Sequence, residues 1–328
     1  MSKLNLIAYA KPPTSTASQC QSLRNKGLII QNMDNAIKKI ETAGYYRFKA
    51  YLRPFRDVKQ ADKPFITGAT FDDAWQLYEF DERLRILIFS YIQRIEVSVR
   101  SKLNLHISAS KDNPFWYMDS EIFGHGNLDY SETVGKIRRI FSNSKDEYAV
   151  YYRKKYYNEF SKFYSDMPPG WVAIELMSFG NLSSMLKCIS EEEIVNLKLD
   201  KFSAKHIGVN KFRKLCNWIG IIHEVRNHCG HHGRLFNRNL KAPDGIKQLL
   251  NKNIELVKIY DDNGNAIEDQ LNRLYFALAV IQQIIRKLGY NPIGNEINNL
   301  FESYPVSRRM MPSMGFPVEW LQEMHFFK

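Results

Sequence analysis

The sequence predicts an all-α protein. Apolar residues recur at three- and four-residue intervals along most of the chain, sustained two-residue alternation is scarce, and cap and breaker residues bracket the periodic segments. With 328 residues, 44% of them hydrophobic, the chain can bury a core in one large or two medium domains, and intrinsic disorder is excluded as its main state.

Residues 16–25, ended by Gly27, and 33–41, stopping near Gly44, read as the first two helices, and an aromatic-basic segment follows at 45–56. Thr70 is placed to cap the next helix, with Asp72 and Asp73 in the first turn, where carboxylates meet the positive helix end. Leu84, Leu87, Ile88, Tyr91, Ile92, Ile95, Val99 and Leu103 trace one face of a core helix. Asp81, Glu82, Arg85, Gln93, Arg94, Glu96 and Arg100 fall mostly elsewhere. A loop at Gly124, Gly126 and Asn127 precedes a basic helix at 131–142.

From Tyr148 an aromatic stands at every fourth position: Tyr148, Tyr152, Tyr156, Phe160 and Tyr164, interleaved with Arg153, Lys154, Lys155 and Lys162. Core or dimer packing is the expected use of this stripe, and RNA stacking between basic side chains the alternative. Pro168-Pro169-Gly170 reads as a connection between helices, after which 171–177 is helical and stops at Phe179-Gly180-Asn181. Ser190 begins a capping box with Glu193, 209–225 is strongly apolar, 261–265 is a turn cluster and 271–288 is amphipathic. Beyond Tyr304 there is little regular pattern. The expected organisation is an N-terminal extension at 1–66, a helical domain at 67–290 and a tail at 291–328 that packs on the core.

No apolar run approaches the roughly 18 residues of a membrane helix, and the first thirteen residues lack the features of a signal peptide, so no membrane association and a cytoplasmic location are expected. Cys20, Cys188, Cys216 and Cys229 are far apart and read as core or bystander thiols. A net charge of +11 favours polyanions, nucleic acid first among them. Nucleotide hydrolysis and serine hydrolase chemistry are disfavoured by the lack of a glycine-rich phosphate loop, a GxSxG elbow or a paired-carboxylate motif.

Chemistry concentrates at 222–238, where His223, His228, His231 and His232 place four of the eight histidines within ten residues. The apolar stripe Phe212, Leu215, Ile219, Ile222 runs on to Arg226, a guanidinium where the pattern calls for a hydrophobe. Such an arginine must line a cleft, pair with a carboxylate or face a partner chain. Arg226 and His231 lie about 140° apart on a regular helix, so a site using both draws on helix loosening at Gly230 and Gly233 or on a second copy across a two-fold axis. Arginine can grip a phosphate and histidine can move the proton of a ribose 2′-hydroxyl, which together suffice for metal-independent RNA cleavage. His228 and His232, four apart, also have zinc-ligand spacing, but the HExxH form is absent, and no metal and no cofactor are expected. Arg100 and His106 repeat a loose arginine-histidine spacing, with Arg100 expected to be solvated.

RNHCGHH followed by GRLFNR resembles the RNxCxHHxRLWNR signature of the abortive-infection protein family, its AbiD/AbiF-like branch, whose members are similar to HEPN-superfamily ribonucleases with an RxxxxH motif. Similar segments run through the chain: KPP at 11–13, GYYRFKAYLRPFR at 44–56, FDDAWQLYEFDERLR at 71–85, RIEVSVRSKL at 94–103, PPGW and ELMSFG within 168–180, and MGFPVEW at 314–320. The resemblance implies a HEPN-like helical bundle, a homodimer with the motif at or near its interface, and an endoribonuclease serving phage defence or a toxin role. A non-catalytic RNA-binding defence component is the alternative. The resemblance assigns Arg226 and His231 as catalytic and Asn227 as the polar residue beside the arginine; His228 or His232 is the candidate auxiliary. Arg234, Arg238, Arg153, Lys154 and Lys155 are candidate RNA contacts, and a cognate antitoxin or regulatory RNA is the further partner of a toxin role. Gly230 stands where relatives commonly carry alanine, and Phe236 where tryptophan is usual.

Overall fold

The structure, a computed structural model, describes residues 9–10, 12–124, 128–156, 167–261 and 263–328. Phe160, Lys162 and Tyr164 of the aromatic stripe, and Gly126 and Asn127 of the expected loop, lie outside these residues. The described residues are all-α apart from one hairpin. The helices are α1 (Thr16–Asn25), α2 (Met33–Ala43), α3 (Tyr45–Leu52), α4 (Phe71–Lys111), α5 (Ser120–Phe123), α6 (Leu128–Asn143), α7 (Glu147–Lys155) and α8 (Gly170–Leu176). They continue with α9 (Phe179–Cys188), α10 (Glu191–Asn196), α11 (Leu199–Phe202), α12 (Phe212–Gly230), α13 (Leu274–Lys287), α14 (Gly294–Ser303) and α15 (Pro305–Arg308). The hairpin pairs β1 (Lys258–Tyr260) with β2 (Ala266–Asp269), antiparallel, around a turn in which the Asp261 carboxylate accepts from the Asn265 backbone N–H at 2.8 Å. No helix among the described residues is long and apolar enough to cross a membrane.

The chain forms two compact units: Met1–Glu82 with Ser303–Arg308, and Arg83–Glu302 with Arg309–Lys328. In the first, the aromatic-basic segment folds into α3 and buries Phe48, Tyr51 and Leu52, with Phe48 packed on Phe71 at 5.1 Å between ring centres. Thr70 caps α4 as its sequence position predicts, its hydroxyl accepting from the Asp73 N–H at 3.0 Å. Asp81, expected on a polar face, is fully buried instead and accepts a 2.6 Å hydrogen bond from the Tyr51 hydroxyl, a partner thirty positions away. Such pairing is what makes a buried carboxylate tolerable.

In the second unit, α4 buries the face read from the sequence except at Leu87, which is half-buried: Leu84, Ile88, Tyr91, Ile92, Ile95, Val99 and Leu103 are each at most 5% exposed. Arg85, expected off this face, is also buried. Helix α13, expected to be amphipathic, is instead buried on every side from Leu274 to Ile285 except at Gln283, because its first eight residues are all apolar, and α12 packs on both α9 and α13. The segment after α15 forms short 3-10 turns whose Phe316 and Phe326 pack on Tyr275 of α13 at 5.2 and 5.1 Å. All four cysteines are free and buried.

The Pro168-Pro169-Gly170 element starts α8, and its glycine is required. A Cβ on Gly170 would lie 2.5 Å from Asn104 Oδ1, 2.9 Å from Trp116 Nε1 and 3.0 Å from the Pro114 carbonyl. The Phe179-Gly180-Asn181 triplet, expected to end a helix, instead forms the first turn of α9, capped by Ser178, whose hydroxyl accepts from the Asn181 N–H at 3.1 Å. Glycine reads as a stop signal, and here its role is steric. Ser190 accepts from the Glu193 N–H at 3.2 Å, while the Glu193 carboxylate pairs with Lys111 at 2.6 Å.

Candidate functional site

Helix α12 carries the motif on its last two turns. Its inner face, Phe212, Leu215, Ile219 and Ile222, is sealed, and Arg226 continues that stripe to the point where it reaches the surface. The Arg226 side chain is 35% exposed, and its Nε is buried without a hydrogen-bond partner. Nε lies 3.9 Å from the Glu96 carboxylate of α4, and the guanidinium carbon is 6.0 Å from the centre of the Phe89 ring. That carboxylate is held more closely by Arg100, at 2.5 Å, and Arg100 also donates to the Met177 carbonyl at 2.7 Å. Arg100 is therefore enclosed, 11% exposed, rather than solvated as its place on an amphipathic helix suggests. Glu96 and Met177 provide the partners that make its burial possible.

At about 100° per residue, Arg226, Gly230, His223, Asn227 and His231 fan across one side of α12 in that order, with Asn227 between Arg226 and His231. Asn227 donates from Nδ2 to Nε2 of His223 at 3.0 Å. Burial, and then the Arg226 charge, push the His223 pKa down, with Glu96 acting the other way, so the neutral ring is the acceptor. His223 was not among the residues the motif assigns. It stands one turn ahead of Asn227, and the signal that could have found it is that same-face spacing. Gly180 makes room for it: a Cβ there would lie 2.8 Å from His223 Nε2. At Gly230 a Cβ would meet Arg226 Nη1 at 3.8 Å and Phe89 at 3.9 Å, ordinary contacts that an alanine would make without displacement.

His231 is the first residue beyond the helix. Its N–H donates to the Asn227 carbonyl at 2.9 Å, and its side chain is exposed. His232 follows with φ of 55°, also exposed, and the Gly233 N–H returns to the His228 carbonyl at 2.7 Å. Leu235 and Phe236 are then fully buried. His228 belongs to a different neighbourhood: burial and then Arg238 lower its pKa, and Glu224 opposes them. Arg238 and Arg234 are half-buried, with Arg238 Nη1 3.4 Å from the Arg234 carbonyl. The structure thus gathers Arg226 and Asn227 with His223, Glu96 and Phe89, sets His231 at the helix end, and sends His228 to the Arg238 side. Among the described residues, no three of His, Cys, Asp and Glu are grouped to hold a metal ion.

On α7, the Arg153 guanidinium donates to the Phe141 carbonyl and, at 2.6 Å, to the Ser144 carbonyl, closing the end of α6. Lys154 is exposed, and Lys155 donates to the Tyr151 hydroxyl at 2.6 Å. Tyr152 packs against Phe141, Ala149 and Val172, whereas Tyr148, Tyr151 and Tyr156 are exposed, so the described part of the stripe is split between core and surface.

The sequence profile of a family described as Abi-like protein matches residues 38–237, from α2 through the whole motif. Comparison with curated proteins and with solved structures gives no match.

Proposed function

The chain belongs to the Abi-like protein family, and from that premise we propose that it acts in abortive infection as a HEPN-type, metal-independent endoribonuclease of the AbiD/AbiF-like branch, working as a homodimer. The observation that carries this reading is the state of Arg226: a guanidinium at the surface end of a core stripe, its Nε buried and unpartnered, its nearest carboxylate already held by Arg100. With its carboxylate shared with Arg100, the exposed end of this guanidinium is a fork of donors for which a phosphate supplies the acceptors.

In the proposed reaction His231 takes the proton of a ribose 2′-hydroxyl as its oxygen bonds to phosphorus. Arg226 stabilises the charge on the phosphoryl oxygens. The bond from phosphorus to the 5′ oxygen breaks, and that oxygen leaves with a proton from an imidazolium. The products carry a 2′,3′-cyclic phosphate and a 5′-hydroxyl. Asn227, its amide nitrogen engaged by His223, has its carbonyl oxygen left to orient a reacting group. A second copy supports the site in two ways. It lends the matching residues that one helix holds about 140° apart. It also covers Ile86, Phe89 and Val97, apolar residues of α4 that are 36–58% exposed, with Phe89 beside Arg226.

Incubation of the purified protein with mixed RNA in EDTA tests the reading. Cleavage to cyclic-phosphate ends, lost in Arg226→Ala and His231→Ala, is expected. Cleavage that survives His231→Ala defeats the assignment. The exposed Tyr151 and Tyr156 beside Lys155 favour, as a second reading, an RNA-binding component without turnover; it predicts salt-sensitive binding with no products.

A further inference from the structure

A second cationic feature lies on a different part of α4. The C-terminal half of that helix and the segment after α11 border an open groove of about 460 Å³, whose lining includes Lys102, Leu105, His106, Ala109, Phe202 and His206. The segment after α11, Ser203–Ile207, is a π-helical turn, a geometry uncommon in proteins and concentrated at functional sites. It is fixed at both ends: Ser203 Oγ donates to the Leu199 carbonyl at 2.8 Å, and Gln283 Nε2 donates to the Gly208 carbonyl at 2.8 Å. Gly208 closes it with φ of 82°.

The turn brings His206 to the same aromatic ring that His106 contacts. Phe202 lies 5.2 Å from the His206 ring and 4.6 Å from the His106 ring, centre to centre. His106 is held by the Leu197 carbonyl, 2.7 Å from Nε2, so that nitrogen carries the hydrogen. The lysines acting on His206 are Lys102 from α4, Lys205 from the turn itself and Lys287 from α13. Together with burial, the largest influence, they push its pKa down. Like charges gathered in this way repel one another and are stabilised by an incoming anion. Leu105 is 70% exposed at the rim and gives the groove an apolar wall. The volume falls within the roughly 300–1,000 Å³ of small-molecule sites.

We propose that this groove binds a nucleotide, either free or as one unit of an RNA strand, with Lys102 and His206 on the phosphate and Leu105 and Ala109 against the base or sugar. The site is independent of the Arg226 chemistry, because none of its residues belongs to the motif. The two stand or fall separately.

Titration calorimetry with ADP, with inorganic phosphate and with a short 2′-O-methyl oligoribonucleotide, which resists cleavage by 2′-hydroxyl attack, tests it. Wild-type protein is expected to bind ADP or the oligonucleotide more tightly than inorganic phosphate, with affinity rising as the pH falls and His206 takes up a proton. Lys102→Glu should weaken binding at least tenfold, and His206→Gln should remove the pH dependence while Arg226→Ala keeps it. Weakened ADP binding identifies a free nucleotide as the ligand, and weakened oligonucleotide binding alone identifies a strand. Lys102 and His206 are both partly exposed, so the variants should fold, which thermal unfolding checks. No binding by wild type, equal affinity for inorganic phosphate, or affinities unchanged in both variants overturns the proposal.

Discussion

Asn227 and His223, one turn apart on α12, are joined by a 3.0 Å hydrogen bond, and Gly180 on α9 leaves the imidazole the space to make it. Gly180→Ala puts a methyl 2.8 Å from His223 Nε2, so the ring must move and the bond to Asn227 must break. Overpacking of this kind costs about 1–3 kcal/mol. Urea denaturation should register that loss, and RNA cleavage should fall further than the fraction unfolded accounts for. A variant with wild-type turnover would show that the asparagine needs no such support.

Removing Arg226 should separate chemistry from stability. Its nearest carboxylate is 3.9 Å away and the side chain is 35% exposed, so the pair contributes at most about 1 kcal/mol to folding. Arg226→Ala is therefore expected to unfold within a few degrees of wild type while losing cleavage by about two to three orders of magnitude, the scale of a lost transition-state donor. A large drop in unfolding temperature, with loss of the proposed dimer, would instead identify a scaffold.

Stability should decline as the pH falls below neutrality. His206, His223, His228 and His325 all have pKa values pushed below the usual 6.5, burial being the first cause in each. The unfolded chain then binds more protons than the folded one in the window below 6.5, so unfolding free energy rises with pH across that window and levels off above it. Below it, Asp200, Asp269 and Glu193, whose carboxyls are held below their usual values by lysine partners, lose their own contribution as they protonate. Urea midpoints measured across this range should trace that slope, and His325→Gln should flatten part of it.

The thiols should be silent in the native state. Cys216 is pushed up to about 12 by burial, and all four cysteines are enclosed. A chromogenic disulfide reagent at neutral pH is expected to react only after denaturant is added, then with all four. Rapid native labelling of any one would mean that its surroundings open.

What the sequence conveys follows from what periodicity can encode. The buried face of α4 was legible because it repeats over five turns, and the Thr70 and Ser190 caps because cap and partner are three residues apart. Buried charges were not: Asp81 and Arg100 fall where a helical wheel puts solvent, and their partners Tyr51 and Met177 come from remote segments. The start of α9 was hidden by Gly180, whose reason is a histidine some forty positions on. The hairpin strands, three and four residues long, are too short for alternation to register. At the site the apolar stripe and the family signature named Arg226, Asn227 and His231, and the one-turn spacing to Asn227 could have added His223, yet Glu96 is visible only once α4 and α12 are side by side.

The His231 imidazole sits past the last turn of its helix, on a stretch of chain that returns at once to the interior through Leu235 and Phe236. Those two inert side chains act as a mooring: they limit how far the loop can swing and hence where His231 can point. On the proposed reading, trimming Phe236, a side chain sealed from any substrate, should mistune His231 and lower cleavage.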